Sequence, residues 1–380
     1  MYRTLAVAGY RSLRDVAIPL SRVTVVTGRN GAGKSSVYRS LRLLAGCGLG
    51  DAVGSLAREG GLNSALWAGP ESLKGARRTG IVQGTTRSGP VSLRLGVGAD
   101  GYSYLIDLGL PIPSSSAFAR DPEIKREAIW AGPIMRPGTL LARRRHALVE
   151  VRDDGPWQEL PYQLPTHTSM LADVPEARTL RDQLAAWRFY DALRTDAHAP
   201  ARAPQVGTRT WAMTSDGSDV AAALQTIHER GKEPLGELID DAFPGSRLSI
   251  AITDGLFDVG LHQPGLLRRL GAAELSDGTL RYLMFLAALL APEKPPLMAI
   301  NEPENSLHPS LIEPLARLIA HAARDTQIVL VTHSQALVTA LAADVADDDL
   351  SRVELDKDSG ETVVEVQGLL SRPTWEWGSR

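Results

Sequence analysis

The chain has 380 residues, 43% of them hydrophobic, and a formal net charge of −3 at pH 7. That composition suits a soluble globular protein of one large domain or two ordinary ones. The single cysteine, Cys47, excludes an intrachain disulfide, and its place after an apolar helix predicts a small core residue. No apolar run reaches the roughly 18 residues of a membrane span, and no N-terminal signal-like segment is visible. The expectation is a cytoplasmic protein with no membrane partner. Charge is uneven: residues 1–100 hold 14 Lys and Arg against 5 Asp and Glu, and residues 341–380 hold 4 against 10. Two differently charged surfaces account for this, and a basic face for nucleic acid is the sharper alternative.

In chain order, Leu5–Gly9 and Val16–Leu20 read as short strands around Tyr10-Arg11-Ser12. Val23–Thr27 is a β-branched run, predicted as a buried strand. A glycine-rich loop comes next, then a helix from Lys34 to about Ala45 that Gly46 should end. Residues 48–90 are rich in Gly and Ser and resist assignment. Val91–Val97 and Tyr102–Leu108 alternate as strands around Ala99-Asp100-Gly101. Residues 111–116 read as a loop, and Glu123–Trp130 and His146–Val151 as further strands. Helices are expected over 176–195, 220–230 and 235–242. A second hairpin is expected over Leu248–Ile252 and Leu256–Leu261, around Thr253-Asp254-Gly255. After Ser276 comes a helix ended by Pro292–Pro296, then the short buried strand Leu297–Ile300. Helix 310–323, the strand Ile328–Thr332, an Ala-rich helix and a terminal hairpin (Val353–Leu355, Val363–Val366) complete the reading. There are no internal repeats and no sustained heptads.

Four short motifs carry chemistry. Gly28-Arg29-Asn30-Gly31-Ala32-Gly33-Lys34-Ser35 matches a phosphate loop, set between a strand and a helix as that motif requires. Glycines let successive backbone N–H groups face phosphates, and the helix N-terminus adds its positive end. Asn30, Gly31, Ala32, Gly33, Lys34, Ser35 and Ser36 are the expected ATP contacts. Lys34 would reach the β and γ phosphates, and Ser35 would hold Mg²⁺. Asn301-Glu302-Pro303-Glu304 ends a buried strand. Glu302 there could act as general base or water-positioning carboxylate for attack on the γ phosphate. Asn301 stands where an Asp normally serves the metal shell. It can accept hydrogen bonds near Mg²⁺ but brings no charge. Ser276-Asp277-Gly278 opens a helix with a hydroxyl and a small residue, which suits an anion. His333 comes after a β-branched strand at the place of a γ-phosphate sensor. Asn305–Pro309 is a candidate dimer-contact loop. Arg143-Arg144-Arg145-His146, the densest basic run, reads first as an ordinary solvated strand edge, with a contact to nucleic acid or phosphate as the alternative.

In combination these motifs resemble the RecF/SMC/OLD side of the ABC ATPases, often labelled AAA family ATPases. Val7–Leu13 is similar to that group's "xFRS" opening, and Thr27–Ser36 to its "GxNGxGKS" loop. Leu275–Arg281 is similar to its "LSxGxxR" signature, Asn301–Pro309 to "EPExxLHP", and Val331–Ser334 to "VTHS". The resemblance covers roughly 1–48 and 270–336. It implies an α/β fold: an ABC-type P-loop ATPase head, with a mixed central sheet flanked by helices, an antiparallel β subdomain and an inserted helical lobe. Residues 1–110 and 263–380 would form the two parts of the head, and 111–262 the inserted lobe. It also implies ATP and Mg²⁺ as cofactors and a homodimer closed on ATP. Lys34 and Glu302 of one copy would then face Ser276, Asp277 and Gly278 of the other. Lys34, Glu302 and His333 would be the catalytic residues. DNA, in repair or phage defence, or a second protein subunit is the implied partner. The glutamine of the usual Q-loop has only Gln83 and Gln163 as candidates. Two alternatives stay open. One is a slow or non-hydrolysing ATP-gated clamp, because of Asn301. The other is a transporter ATPase subunit, which the "GYRSL" opening and the long gap between phosphate loop and signature disfavour.

Overall fold

The computed structural model describes residues 1–70, 90–152, 155–365 and 372–378. The chain divides into two compact units, Met1–Trp187 with Ser351–Arg380, and Arg188–Leu350.

In the first unit, β1 (Tyr2–Tyr10) and β2 (Leu13–Pro19) form an antiparallel hairpin. Arg11, in its turn, takes a left-handed conformation with φ 48°. The β-branched run forms β3 (Val23–Gly28), and the glycine loop leads into α1 (Lys34–Gly48). This helix runs past its expected stop at Gly46. A Cβ on Gly46 would collide with the Ser55 hydroxyl, and one on Gly48 would meet Leu184 Cβ at 2.7 Å. These glycines serve close approach of neighbouring segments, not termination. Two short helices, α2 (Ala52–Arg58) and α3 (Gly61–Ala65), occupy part of the stretch that resisted assignment.

Six further strands come next: β4 (Leu93–Ala99), β5 (Tyr102–Gly109), β6 (Glu123–Ala131), β7 (Leu140–Arg145), β8 (Leu148–Val151) and the short β9 (Gln158–Glu159). With the first hairpin they make an antiparallel sheet in the order β2-β1-β4-β5-β6-β7-β8-β9. His146, expected to begin a strand, instead turns the β7–β8 hairpin at φ 53°. The basic run therefore lies at the end of β7, where alternation sends neighbours to opposite faces. Arg145 is exposed, but the Arg144 side chain is fully buried. It pairs with buried Glu127 at 3.1 Å and donates to the carbonyls of Pro165, Thr168 and His146. Glu127 also accepts from the Tyr104 hydroxyl and the Met170 N–H. The solvated-edge expectation thus fails for Arg144, whose charge is an internal cross-link. Cys47 is buried as expected, and that burial pushes its thiol pKa up, with the Glu127 charge adding to the effect.

The helix expected over 176–195 is shorter. After α4 (Met170–Asp173), α5 spans Arg178–Ala185. Trp187 then leaves the helical path to pack edge-on against Tyr2, with ring centroids 4.9 Å apart, and its indole N–H donates to the Tyr2 hydroxyl at 2.9 Å. A tertiary contact overrides the local helical pattern.

The second unit opens with β10 (Arg188–Tyr190) and the short β11 (Gln205–Val206). It continues through α6 (Val220–Arg230), α7 (Leu235–Ala242), β12 (Arg247–Thr253), β13 (Leu256–His262) and the short β14 (Leu270–Gly271). Then come α8 (Asp277–Leu289), β15 (Leu297–Asn301), α9 (Ile312–Ala322), β16 (Gln327–Val331) and α10 (Gln335–Asp344). β10, β15 and β16 pair in parallel, whereas β11, β13, β12 and β14 are antiparallel. α8 is apolar almost all round, and nearly every residue from Leu280 to Leu289 is buried, as a core helix requires.

The chain returns to the first unit as the hairpin β17 (Leu350–Asp358) and β18 (Glu361–Val364), with β17 beside β3. The expected strand end at Val366 lies outside the described residues. Near the C-terminus, Trp375 packs over Gly96 and against Trp130, centroids 5.5 Å apart.

The Arg144–Glu127 pair gives a first test. Arg144→Ala strands a carboxylate in the core and should cost about 3–5 kcal/mol of unfolding free energy. The measurement is the urea midpoint.

Candidate functional site

The phosphate-loop residues lie in the first unit, between β3 and α1. Gly28 closes β3 at φ 142°, and the Leu355 carbonyl of β17 occupies the space that a Cβ would need. No side chain could occupy that position. Gly33 is left-handed at φ 113° and caps α1 without any side-chain hydrogen bond. The N-terminus of α1 thus carries no side-chain acceptor, the arrangement that accommodates an anion. A Cβ on Gly33 would collide with the Thr362 hydroxyl. That hydroxyl donates to the Ala32 carbonyl at 2.7 Å, and the Thr362 N–H donates to Ser12 O at 2.8 Å. The C-terminal hairpin and the first β-turn therefore brace the loop from outside. Lys34 is buried, and its ammonium donates to Gly28 O at 2.6 Å and Arg29 O at 3.2 Å. Asn30, Gly31 and Ser35 are exposed, while Ala32 and Ser36 are buried. Arg11 of the opening motif is engaged elsewhere, on Glu59 at 3.0 Å.

The second unit brings Asn301, Glu302, Glu304, Asn305 and His333 together. β15 and β16 run parallel with Asn301 opposite Val331, and the Glu302 N–H extends the ladder to Val331 O at 2.7 Å. The two strands therefore end together, and the segments that leave them lie side by side. Glu302 is left-handed at φ 48°, a costly conformation for a non-glycine residue. Asn305 Nδ2 donates to its Oε2 at 2.6 Å, which fixes the carboxylate. Glu304 is almost buried. Its Oε1 accepts from the Thr332 hydroxyl at 2.5 Å and from the His333 N–H at 3.1 Å. His333 Nδ1 then lies 3.7 Å from Glu302 Oε1 and 3.5 Å from Glu304 Oε1. Asn301 Oδ1 and Glu304 Oε2 are buried and lack a hydrogen-bond partner among the described residues. Orphaned acceptors at a strand end fit a site that receives donors or a hydrated cation. Among the described residues no group of three His, Cys, Asp or Glu could hold a metal. Magnesium here would rely on phosphate oxygens and water, as it commonly does.

The signature residues also lie in the second unit, at the start of α8. Ser276 is the N-cap, and its hydroxyl accepts from the Thr279 N–H at 3.1 Å. A Cβ on Gly278 would approach Ser306 O to 2.8 Å, so the Asn305–Pro309 loop is packed against the signature turn. The exposed Asp277 carboxylate is bound by Arg202 at 2.5 Å. A cavity of about 780 Å³ opens between residues 197–203 and 273–277, lined by His198, Arg202, Ser276 and Asp277 among others. One turn along α8, Arg281 is mostly buried. That burial lowers its pKa, while the charges of Glu304 and Glu302 oppose the shift.

A family model described as "AAA domain, putative AbiEii toxin, Type IV TA system" matches residues 23–339, which is most of the chain. The chain belongs to this AAA domain family. Among curated proteins none matches it. Solved structures show the fold. The SMC head bound to the C-winged helix domain of ScpA aligns over 97% of this chain and 98% of its own, with TM-score 0.52 and 14% identity. The Smc head with an extended coiled coil, bound to the C-terminal domain of ScpA and derived from Pyrococcus furiosus, aligns over 96% and 95%, with TM-score 0.50 and 13% identity. The chain thus has the mixed α/β architecture of an ABC-type ATPase head. No helix among the described residues is long and apolar enough to cross a membrane.

Sequence reasoning did not single out Glu304, Thr332, Arg281 or Arg202. The first three lie inside or beside the quoted motifs, so adjacency was the available signal. Arg202 lies in none of them. Of the two Q-loop candidates, Gln163 is an exposed loop residue, and Gln83 lies outside the described residues.

Gly33→Ala should weaken nucleotide binding more than tenfold, because φ 113° and the Thr362 contact both oppose a methyl group. Titration with a fluorescent ATP analogue would read it.

Proposed function

We propose that this protein binds ATP with Mg²⁺ and hydrolyses it, as an ABC-type ATPase on the RecF/SMC/OLD side of that class, and that two copies close around the nucleotide. Asn30 to Ser36 would hold the phosphates, with Lys34 on the β and γ groups. Ser35 and Asn301 would serve the metal shell, which neutralises phosphate charge. Glu302 would orient the attacking water and take its proton, and His333 would sense the γ phosphate. The signature turn, Ser276 to Gly278, would face the nucleotide of the second copy, with Ser276 and Gly278 accepting it. Residues 1–110 and 263–380 make up the head in this reading, with 111–262 as an inserted lobe.

The observation that carries the proposal is the fixed Glu302 carboxylate. It is held by Asn305 on a left-handed residue, 3.7 Å from His333. Strain at one strand end, stabilised by its neighbours, is characteristic of a working site. A carboxylate so fixed, in a chain that also carries a phosphate loop, suits water activation. The ScpA domains bound to the solved Smc heads, and a family description that names a putative toxin of a Type IV TA system, favour a second protein as partner. DNA is the other candidate partner, supported by the excess of Lys and Arg over residues 1–100.

Asn301 supports a second reading, in which hydrolysis is slow and ATP acts as a clamp. Phosphate release by the parent chain, Glu302→Gln and Asn301→Asp separates the two. Hydrolysis predicts at least a hundredfold loss in Glu302→Gln with ATP binding retained, and a gain in Asn301→Asp. A parent rate no faster than Glu302→Gln would sink it and leave the clamp. Ser276→Arg should bind ATP normally yet stay monomeric by light scattering.

A further inference from the structure

Arg202 has no place in any of the motifs, yet it makes the densest set of contacts around the signature turn. It ends a short 3₁₀ turn, Pro200–Arg202, and its side chain is only 12% exposed. Nε donates to Thr195 O at 2.7 Å. Nη1 donates to Ala272 O at 3.0 Å and Leu275 O at 2.8 Å, and Nη2 to Asp277 Oδ1 at 2.5 Å. A guanidinium presents its donors in one rigid plane. Anchored on Thr195 O, that plane meets three acceptors between Ala272 and Asp277 and fixes their path, and with it the direction of the Ser276 cap. The charge matters as well. Asp277 is an exposed acid at the first residue of α8, where the proposed function brings a triphosphate. Left alone, its negative charge would oppose that anion. Arg202 both turns the carboxylate aside and neutralises it.

We infer that Arg202 is the positioning residue of the signature turn: it pins Leu275 and neutralises Asp277 so that Ser276 and Gly278 can accept the nucleotide of a second copy. This rests on the dimer reading above. Arg202 would contribute nothing to nucleotide held by its own chain's phosphate loop.

The test uses full-length protein with Mg-ATP, in a Glu302→Gln background that accumulates the closed state. Arg202→Met should bind ATP within twofold of the parent but need at least ten times more protein to associate, by light scattering. Arg202→Lys should not rescue, because one ammonium cannot replace the planar fork. Arg202→Met/Asp277→Asn should recover part of the association, because the repulsive charge is gone. In the nucleotide-free chain, Arg202→Met should speed amide exchange across 273–279 and leave α1 unchanged. Association of Arg202→Met at the parent's concentration overturns the inference. So does unchanged exchange at 273–279, or an equal loss of ATP binding, which would mark a general structural role. If the parent itself stays monomeric with ATP, the dimer reading fails and this inference falls with it. Failure in the Arg202 variants alone leaves that reading intact.

Discussion

The second unit's chemistry depends on the parallel pairing of β15 with β16. Two parallel strands in register end at the same level, so the residues just beyond them must lie side by side. Here the pairing is carried one bond further by the Glu302 N–H on Val331 O. That bond places a glutamate and a histidine, 31 positions apart in sequence, within 3.7 Å. The left-handed turn at Glu302 then bends the chain back, so that Glu304 and Asn305 can hold the pair. Glu304 grips the β16 end through Thr332 and the His333 backbone, and Asn305 grips Glu302. Buried polar networks of this kind are stable only when their members are satisfied together. The remaining orphan acceptors, on Asn301 and Glu304, fall where a ligand shell would supply donors.

The first unit solves a different problem, fixing the shape of a glycine loop. Gly28 and Gly33 are needed less for flexibility than because neighbouring chain occupies the Cβ positions. The Leu355 carbonyl excludes a side chain at one, and the Thr362 hydroxyl at the other. The C-terminal hairpin, far away in sequence, is thus part of the loop's mould. Away from the loop, the same unit depends on a buried ion pair. Arg144 and Glu127 are costly to desolvate, and their many hydrogen bonds to carbonyls, hydroxyls and an N–H offset that cost.

Much of the site was legible. The phosphate loop, the acidic strand end, the signature turn and His333 are short contiguous motifs, and local backbone chemistry explains each. The strands β1, β3, β4, β5, β12, β13 and β15 follow from alternation or β-branched runs, and α6 and α7 from helical periodicity. The illegible parts depend on distant partners. The helix expected to reach residue 195 stops because Trp187 finds Tyr2. Gly46 lies within α1 rather than at its end, and the Ser55 hydroxyl fills the space its missing Cβ leaves. Arg144 turns inward because Glu127 lies on the adjacent strand, and nothing within Arg143-Arg144-Arg145 reveals which of the three that will be.

The sequence by itself determined the local motifs of the chain. A strand, a glycine loop with Lys34, a carboxylate at a strand end and a Ser-Asp-Gly helix start are local patterns, each tied to a backbone conformation that short segments specify. Only the tertiary structure decided how those groups are restrained. Asn305 on Glu302, Glu304 on His333, Thr362 on the phosphate loop and Arg202 on the signature turn are contacts whose distances are set by strand register and packing. Sequence spacing does not encode them, because each takes its geometry only when the sheets form.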